Sequence, residues 1–256
     1  MRRSRRLWFV LAALIGGPWG WVASARGADE GARCTSDVML VLDGSGSMSA
    51  SDFPDGAPNR MDRVRQALAR VIPEVAPVRR IGLLVYGPGR QGNSCRNIEV
   101  KLSPSPGAAQ AILDFADRVR PGGRTPLTRS VEIALEVLNG STQPAEVVVL
   151  TDGEDTCGGD PCGFARRLKA QGRDITIHVV GFRLPRTSET AGARCLADET
   201  GGRFVTAETT DELVQALRQT LTCSQISSPW PVEPVEPVEP GARRLAQVQE
   251  VAACRR

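Results

Sequence analysis

Residues 41–52 read VLDGSGSMSASD, where an apolar run ends at Asp43 and is followed by glycines and alternating serines. Unbroken apolar runs are typical of strands buried on both faces of a parallel sheet. A turn after such a strand needs glycine for backbone freedom, but it does not need the pattern Asp-x-Ser-x-Ser. Two hypotheses follow: Asp43, Ser45 and Ser47 bind a ligand, or they only form a turn and cap the next helix.

Apolar runs and amphipathic segments alternate along the chain on both sides of this stretch. Strands are predicted at residues 37–43, 80–86, 97–102, 145–150, 174–182 and 203–206. Helices are predicted at residues 60–72, 108–119, 127–138, 161–171, 191–200 and 211–221, with Pro73 ending the first and Thr210 capping the last. This alternation predicts one α/β domain over residues 34–223, a doubly wound, mostly parallel six-stranded sheet flanked by helices, Rossmann-like, with one antiparallel edge strand.

The first 25 residues have the pattern of a secretory signal peptide. Four arginines precede an apolar stretch, and Ala23-Ser24-Ala25 is a small-x-small cleavage pattern. A retained membrane anchor is the alternative, but the interruption Gly16-Gly17-Pro18 favours cleavage, after which no stable membrane insertion is expected. We therefore expect a periplasmic or extracellular protein, with Sec or twin-arginine export left open.

The net charge of the chain argues against nucleic acid as a partner, and the composition of residues 224–256 indicates a linker and a tail. The formal net charge of +3 becomes −1 when the four arginines of residues 1–25 are removed, and no basic stripe remains, so nucleic acid is not an expected partner. Residues 224–256 contain VEP three times in succession, which favours an extended proline-rich linker followed by a disordered tail or a docking peptide. The oligomeric state is not predicted.

Three polar loops are expected at one edge of the sheet, because the carboxyl ends of parallel strands lie on the same side. They are DGSGS after the first strand, GGRTPL before the third helix and TDG after the fourth strand. Their candidate ligands are carboxylate and hydroxyl oxygens: Asp43, Ser45, Ser47, Thr125 and Asp152. Oxygen-only ligation suits a hard cation, so we predict Mg²⁺, with Mn²⁺ or Ca²⁺ as alternatives.

These three motifs, in this order, resemble the metal-ion-dependent adhesion site of the von Willebrand factor type A (VWA) domain. The segments LVLDGSGSM, GGRTPLTRSV and VVVLTDGEDTCGGDPC resemble those of bacterial secreted VWA proteins. The resemblance implies that the two serines, and often Thr125, ligate the metal directly, while Asp43 and Asp152 act directly or through water. It also implies an open metal position that attracts an Asp or Glu carboxylate of a protein partner. Ser49, Ser51 and Asp52 have no ligand role in the motif.

The function expected from this site is binding, without catalysis. The chain is interpreted as an exported module that engages a protein partner through a metal-bridged carboxylate. One alternative is an envelope assembly or regulatory factor that recruits an enzyme or channel; a weaker one is a metal-dependent hydrolase, for which Glu154 and Asp155 are the available bases. The single histidine, His178, lies within a strand, and GPGRQG at residues 87–92 precedes a strand, so neither a serine hydrolase nor a dinucleotide site is expected.

Seven cysteines remain after cleavage, and in an exported chain most of them are expected to form disulfides. Cys34 and Cys223 flank the domain and are predicted to pair. The other predicted pairs are Cys157–Cys162 and Cys95–Cys195, although the sequence leaves the crossed pairings open. Cys254 is left as an unpaired thiol.

Overall fold

The computed structural model describes residues 36–53, 58–89, 94–139, 145–184 and 190–223. The strands are β1 (Asp37–Asp43), β2 (Ile81–Tyr86), β3 (Ile98–Ser105), β4 (Ala145–Thr151), β5 (Ile175–Phe182) and β6 (Phe204–Ala207). The helices are α1 (Arg60–Val75), α2 (Ala109–Arg118), α3 (Leu127–Leu138), α4 (Pro161–Ala170), α5 (Ala191–Glu199) and α6 (Thr210–Leu221), with a short 3₁₀ turn at Gly46–Ser49.

The strands form one sheet in the order β3-β2-β1-β4-β5-β6. β2 and β3 are antiparallel, and every other neighbouring pair is parallel. The predicted fold class is therefore confirmed, including the antiparallel edge strand. β1 lies between β2 and β4, so its carboxyl end is at the middle of the rim where the polar loops were expected.

Helices cover both faces of the sheet, because successive side chains of a buried strand point to opposite faces. Val38, Leu40 and Leu42 of β1 pack in one apolar cluster with α1, α2 and α6. Met39 and Val41 pack in the other cluster with α3, α4 and α5. Both faces of β1 are apolar, which explains why its sequence is an unbroken apolar run and does not alternate.

Two predictions at helix ends, the stop at Pro73 and the cap at Thr210, are wrong. Pro73 lies inside α1, which continues to Val75 because Val75 is buried in the core and Ala76 N donates to Ile72 O at 2.9 Å. Proline removes one N–H from the helical ladder, and burial of the following turn outweighs that loss. The N-cap of α6 is Thr209, whose side chain accepts from Glu212 N in a capping box.

The chain divides after Thr222 into two units, and the sheet belongs to the first. Residues 1–25 and 224–256 lie outside the described residues, so the signal peptide, the linker and the outer domain boundaries stay predictions. Among the residues that the structure describes, no helix is long and apolar enough to cross a membrane.

A buried polar cluster lies near the amino ends of β1, β2 and β4, away from the rim loops, and it extends to His178 of β5. Arg79, whose side chain is fully buried, donates from Nη1 to Leu221 O at 2.7 Å and from Nη2 to Ser36 Oγ at 2.9 Å. Its Nη2 also lies 2.5 Å from Glu146 Oε2. His178 accepts from Arg203 N through Nδ1 at 3.0 Å, and its Nε2 lies 3.8 Å from Glu146 Oε2. His178 therefore has a structural contact next to the sheet, and it lies inside β5, within a strand as predicted.

Glu146 stabilises this cluster as an anion. Burial by itself would raise the pKa of Glu146, but the nearby His178, Arg79 and Ser36 outweigh burial and lower it to about 2. A carboxyl group with a lowered folded pKa stabilises the fold above its unfolded pKa, and this contribution is lost as the pH falls towards the folded pKa.

We predict that Glu146→Gln lowers the free energy of unfolding by about 3 kcal/mol at pH 7, because Arg79 would lose its carboxylate in a buried setting. The difference between wild type and variant should shrink as the pH falls from about 4.5 towards 2, where wild-type Glu146 becomes protonated. Denaturant unfolding across this pH range measures both effects.

Glu136→Gln is the matched control, because Glu136 is exposed and pairs with the exposed Arg129 at 3.2 Å. Its effect should stay below about 0.5 kcal/mol at every pH. Equal losses in the two variants would contradict a special role for the buried pair.

Candidate metal site at the carboxyl ends of the strands

Asp43 is the last residue of β1 and is completely buried. Its Oδ1 accepts from Ser45 N at 2.7 Å. Its Oδ2 accepts from Tyr86 Oη and from Thr151 Oγ1, both at 2.8 Å. The carboxylate therefore joins the ends of β1, β2 and β4 and fixes the turn that carries Ser45.

The first and second polar loops are joined through their backbones. Gly122 N donates to Gly44 O at 3.1 Å, and Gly46 N donates to Gly123 O at 2.9 Å. Gly123 N also donates to Gly87 O at 2.7 Å. A Cβ on Gly122 would lie 2.2 Å from Gly89 O, so only glycine allows this approach of two backbones.

The second and third loops are joined at Thr125 and Thr156. Thr125 N donates to Thr156 Oγ1 at 2.9 Å, and Thr156 N donates to Thr125 O at 3.0 Å. Asp155 accepts from Thr128 N in the first turn of α3 and from Cys157 N, each at 2.8 Å. Asp155 thus caps the loop and the first turn of α3.

The side chains of the candidate site form a short hydrogen-bonded chain between the first and third loops. Ser45 Oγ lies 2.9 Å from Ser47 Oγ, and Ser47 Oγ donates to Asp152 Oδ1 at 2.6 Å. Ser45 and Asp152 are buried, whereas Ser47 is exposed at the rim. Thr125 is buried in the loop that is hydrogen-bonded to Ser45's own loop. All five candidates are therefore carried by loops that contact one another.

The charge of the site favours a cation. Burial, and next to it the carboxylate of Asp43, raise the pKa of Asp152 to about 6, while hydrogen bonds from Ser47 and Arg60 act in the opposite direction. Within the described ranges, no group of three or more His, Cys, Asp or Glu side chains is placed to hold a metal ion. A cation at this rim would therefore be held in part by hydroxyl oxygens, and two acids with neutral hydroxyls fit a hard divalent ion.

The disulfides of the rim differ from the predicted pairs. Cys95 is bonded to Cys157 with Cα atoms 5.6 Å apart, and Cys162 to Cys195 with Cα atoms 5.0 Å apart. The pairs Cys157–Cys162 and Cys95–Cys195 are therefore wrong, and one of the crossed pairings holds. Cys162 lies on α4, which packs against α5 with Cys195, while Asp155 turns the third loop so that Cys157 reaches the connection between β2 and β3.

Cys223 is disulfide-bonded, and Cys34, its predicted partner, lies outside the described residues. Cys254 also lies outside them, so both of these sequence predictions stay predictions.

Three residues of the site were not identified from the sequence. Tyr86 and Thr151 orient Asp43, and Arg60 donates from Nη1 to Asp152 Oδ2 at 2.9 Å. The strand register could have identified Tyr86, because it is paired with Asp43 at the ends of two predicted strands. Nothing in the local pattern signals Arg60, which is the first residue of an amphipathic helix and lies 92 positions before Asp152.

Comparison with known proteins identifies the family. Residues 38–154 match the family model of the von Willebrand factor type A domain, a range that spans the first four strands and all five candidate site residues. This part of the chain belongs to a von Willebrand factor type A domain, and the predicted resemblance to that domain is confirmed. The uncharacterised protein YwmD of Bacillus subtilis strain 168 is 26% identical over 218 residues, which cover 81% of this chain and 94% of YwmD.

Solved structures show the same fold at low sequence identity. The SpRpn10 VWA domain is 14% identical with a TM-score of 0.57, over 73% of this chain and 97% of that domain. Proximal thread matrix protein 1 of the mussel byssus, solved with a zinc-occupied MIDAS motif, is 17% identical with a TM-score of 0.53 over 74% of this chain. This chain spans only 46% of that mussel protein.

We predict that Gly122→Ala lowers the free energy of unfolding by about 1–3 kcal/mol, because the new methyl group would force apart the backbones at Gly122 and Gly89. The same change should disturb the loop that carries Thr125. Denaturant unfolding measures the first effect, and amide NMR shifts of residues 122–126 report the second.

Gly153→Ala is the matched control, since Gly153 follows Asp152 and nothing lies within 4 Å of a Cβ built there. It should change stability by less than about 0.5 kcal/mol. A Gly122→Ala variant as stable as this control would contradict the close backbone packing.

Proposed function

We propose that this chain is an exported binding module that engages a protein partner by placing a divalent cation between its rim and an Asp or Glu carboxylate of that partner. The cation would be held by Asp43, Ser45, Ser47, Thr125 and Asp152, and Mg²⁺ is the first candidate, ahead of Mn²⁺ or Ca²⁺. The observation that carries the proposal is the chain of contacts from Ser45 through Ser47 to Asp152, at 2.9 and 2.6 Å.

The accessibility of these oxygens supports binding to an external ligand. Ser45, Asp43 and Asp152 are buried, so they can define the inner side of a cation site. Ser47 is exposed, so the outer side of the same site faces solvent. A cation that is bound on one side and open on the other can accept a carboxylate from a second protein.

Neutral hydroxyl ligands support the same conclusion. A serine or threonine oxygen does not cancel the charge of a bound cation, and both oxygens of Asp43 already accept hydrogen bonds from the protein. A divalent ion in such surroundings keeps enough charge to attract an acid of the partner. The mussel protein with a zinc-occupied MIDAS motif shows that a chain of this fold can hold a divalent ion.

The disulfides support export. Cys95–Cys157 and Cys162–Cys195 both lie in the described part of the chain, and structural disulfides persist in the periplasm and outside the cell. Together with the predicted signal peptide of residues 1–25, they favour a periplasmic or extracellular location for the module.

We predict that Mg²⁺ at a hundredfold excess over its dissociation constant raises the free energy of unfolding of the full chain by about 2.7 kcal/mol, because the ion binds only the folded state. Ser47→Ala should abolish most of this increase by removing an oxygen at the centre of the site. Thermal unfolding with and without the ion, together with calorimetric titration of Mg²⁺, measures the effect.

Ser49→Ala is the control for this experiment, because Ser49 Oγ donates to Gly46 O at 2.7 Å and belongs to the same turn without a ligand role. It should respond to Mg²⁺ as the wild type does. No increase in the wild type with Mg²⁺, Mn²⁺ or Ca²⁺, or an equal loss in both serine variants, would refute the proposed site.

The partner is tested by capture from an envelope extract with the immobilised full chain. We expect proteins retained in Mg²⁺ by the wild type and by Ser49→Ala to be absent in chelator and absent with Ser47→Ala. Capture that persists in chelator would contradict the proposal that a metal ion bridges the two proteins.

A further inference from the structure

The carboxylate of Asp152 contacts both the candidate metal site and Arg60 of α1. Its Nη1 donates to Asp152 Oδ2 at 2.9 Å, while the other oxygen of that carboxylate accepts from Ser47 at 2.6 Å. The Asp152 side chain is fully buried, and that of Arg60 is 15% exposed. The guanidinium therefore lies at the edge of the site, where a bound partner would approach.

Asp52 fixes the orientation of this guanidinium. Arg60 Nε donates to Asp52 Oδ1 at 3.1 Å and Nη2 donates to Asp52 Oδ2 at 2.5 Å, a bidentate arrangement. Arg183 Nη2 also donates to Asp52 O at 3.0 Å. Asp52, which has no ligand role in the motif, thus positions a residue that contacts the candidate ligand set.

The ion pairs of Arg60 with Asp152 and Asp52 change the net charge around a bound cation. Asp43 accepts its hydrogen bonds from a backbone amide, a phenol and a threonine hydroxyl, all of them neutral. Arg60 is shared between Asp152 and Asp52, so the surroundings of the site carry one negative charge fewer with Arg60 than they would without it. A divalent cation therefore keeps more of its positive charge beside Arg60 than it would if Arg60 were absent.

We infer that Arg60 determines the carboxylate specificity of the site: it weakens the hold on the cation, and in return it strengthens the attraction of the loaded site for a partner acid. This inference rests on the proposed function, because it concerns the same cation and the same partner carboxylate. The competing explanation is that Arg60 only ties α1 to the end of β4, in which case its removal changes stability and leaves both affinities of the folded protein unchanged.

The test compares Arg60→Gln with Arg70→Gln in the full chain. Arg70 lies on the same helix, is 53% exposed and pairs with Asp211 at 2.6 Å, so the control removes the same charge away from the site. Mg²⁺ affinity is measured by calorimetry. Acetate, as the smallest carboxylate probe, is then titrated at saturating Mg²⁺ and followed by amide NMR shifts.

We expect Arg60→Gln to bind Mg²⁺ about tenfold more tightly and acetate about tenfold more weakly than the wild type, as expected for a unit charge removed from close to the ion. Arg70→Gln should stay within about twofold for both ligands, because its charge is exposed, distant and screened. Arg60→Lys keeps the charge without the bidentate geometry, so both of its affinities should lie between those of the wild type and Arg60→Gln.

The outcomes separate the two proposals. A wild type that binds no divalent ion refutes the proposed function and this inference with it. A wild type that binds Mg²⁺ and acetate, with Arg60→Gln indistinguishable from Arg70→Gln, overturns the inference and leaves the function standing. Arg60→Lys equal to Arg60→Gln also overturns it, because packing and not charge would then explain the change. If circular dichroism shows that Arg60→Gln is unfolded, the same Mg²⁺ and acetate affinities are compared between Arg60→Lys and Arg70→Lys.

Discussion

The buried carboxylate of Asp43 is the interaction on which the site and the central sheet both depend. A buried acid is costly unless its oxygens are hydrogen-bonded, and Asp43 receives one bond from its own loop and two from the ends of β2 and β4. Those donors are in reach only because Tyr86 is paired with Asp43 in the β1–β2 register and Thr151 ends the neighbouring strand. A slip of one residue in either pairing would turn these side chains to the other face and leave the acid without partners.

Close packing of backbones also fixes the loops at the rim, beyond the ends of the strands. Gly44, Gly46, Gly122 and Gly123 let two loops approach as if they were short strands, and Ser45 forms a bridge with Gly123. The third loop is joined to the second by two hydrogen bonds between Thr125 and Thr156, one of which involves the hydroxyl of Thr156. Loops from three distant parts of the chain are therefore fixed by contacts within the protein, which would lower the entropic cost of binding at the proposed site.

Local sequence patterns predicted those strands and loop positions that depend on residues close together in the sequence. The apolar runs placed β1, β2, β4 and β5, and the rule that parallel strands end at one edge brought Asp43 and Asp152 to the same rim. The pairing of Cys95 with Cys157, and the contact of Arg60 with Asp152, depend on which way side chains point across elements far apart in sequence. The end of α1 was missed for a related reason, because burial of Val75 outweighs the effect of Pro73.

Electrostatics at the rim then determines what such a preorganised site can select. Because the loops are fixed by backbone bonds and by Cys95–Cys157, a ligand gains little by rearranging them, and discrimination has to come from charge and accessibility. The exposed residue Ser47 and Arg60, whose side chain is 15% exposed, both contact Asp152. Both favour an acidic ligand once a cation is present, and a basic side chain would meet two positive charges at once. The proposed preference for an Asp or Glu of the partner therefore rests on the charge at the rim.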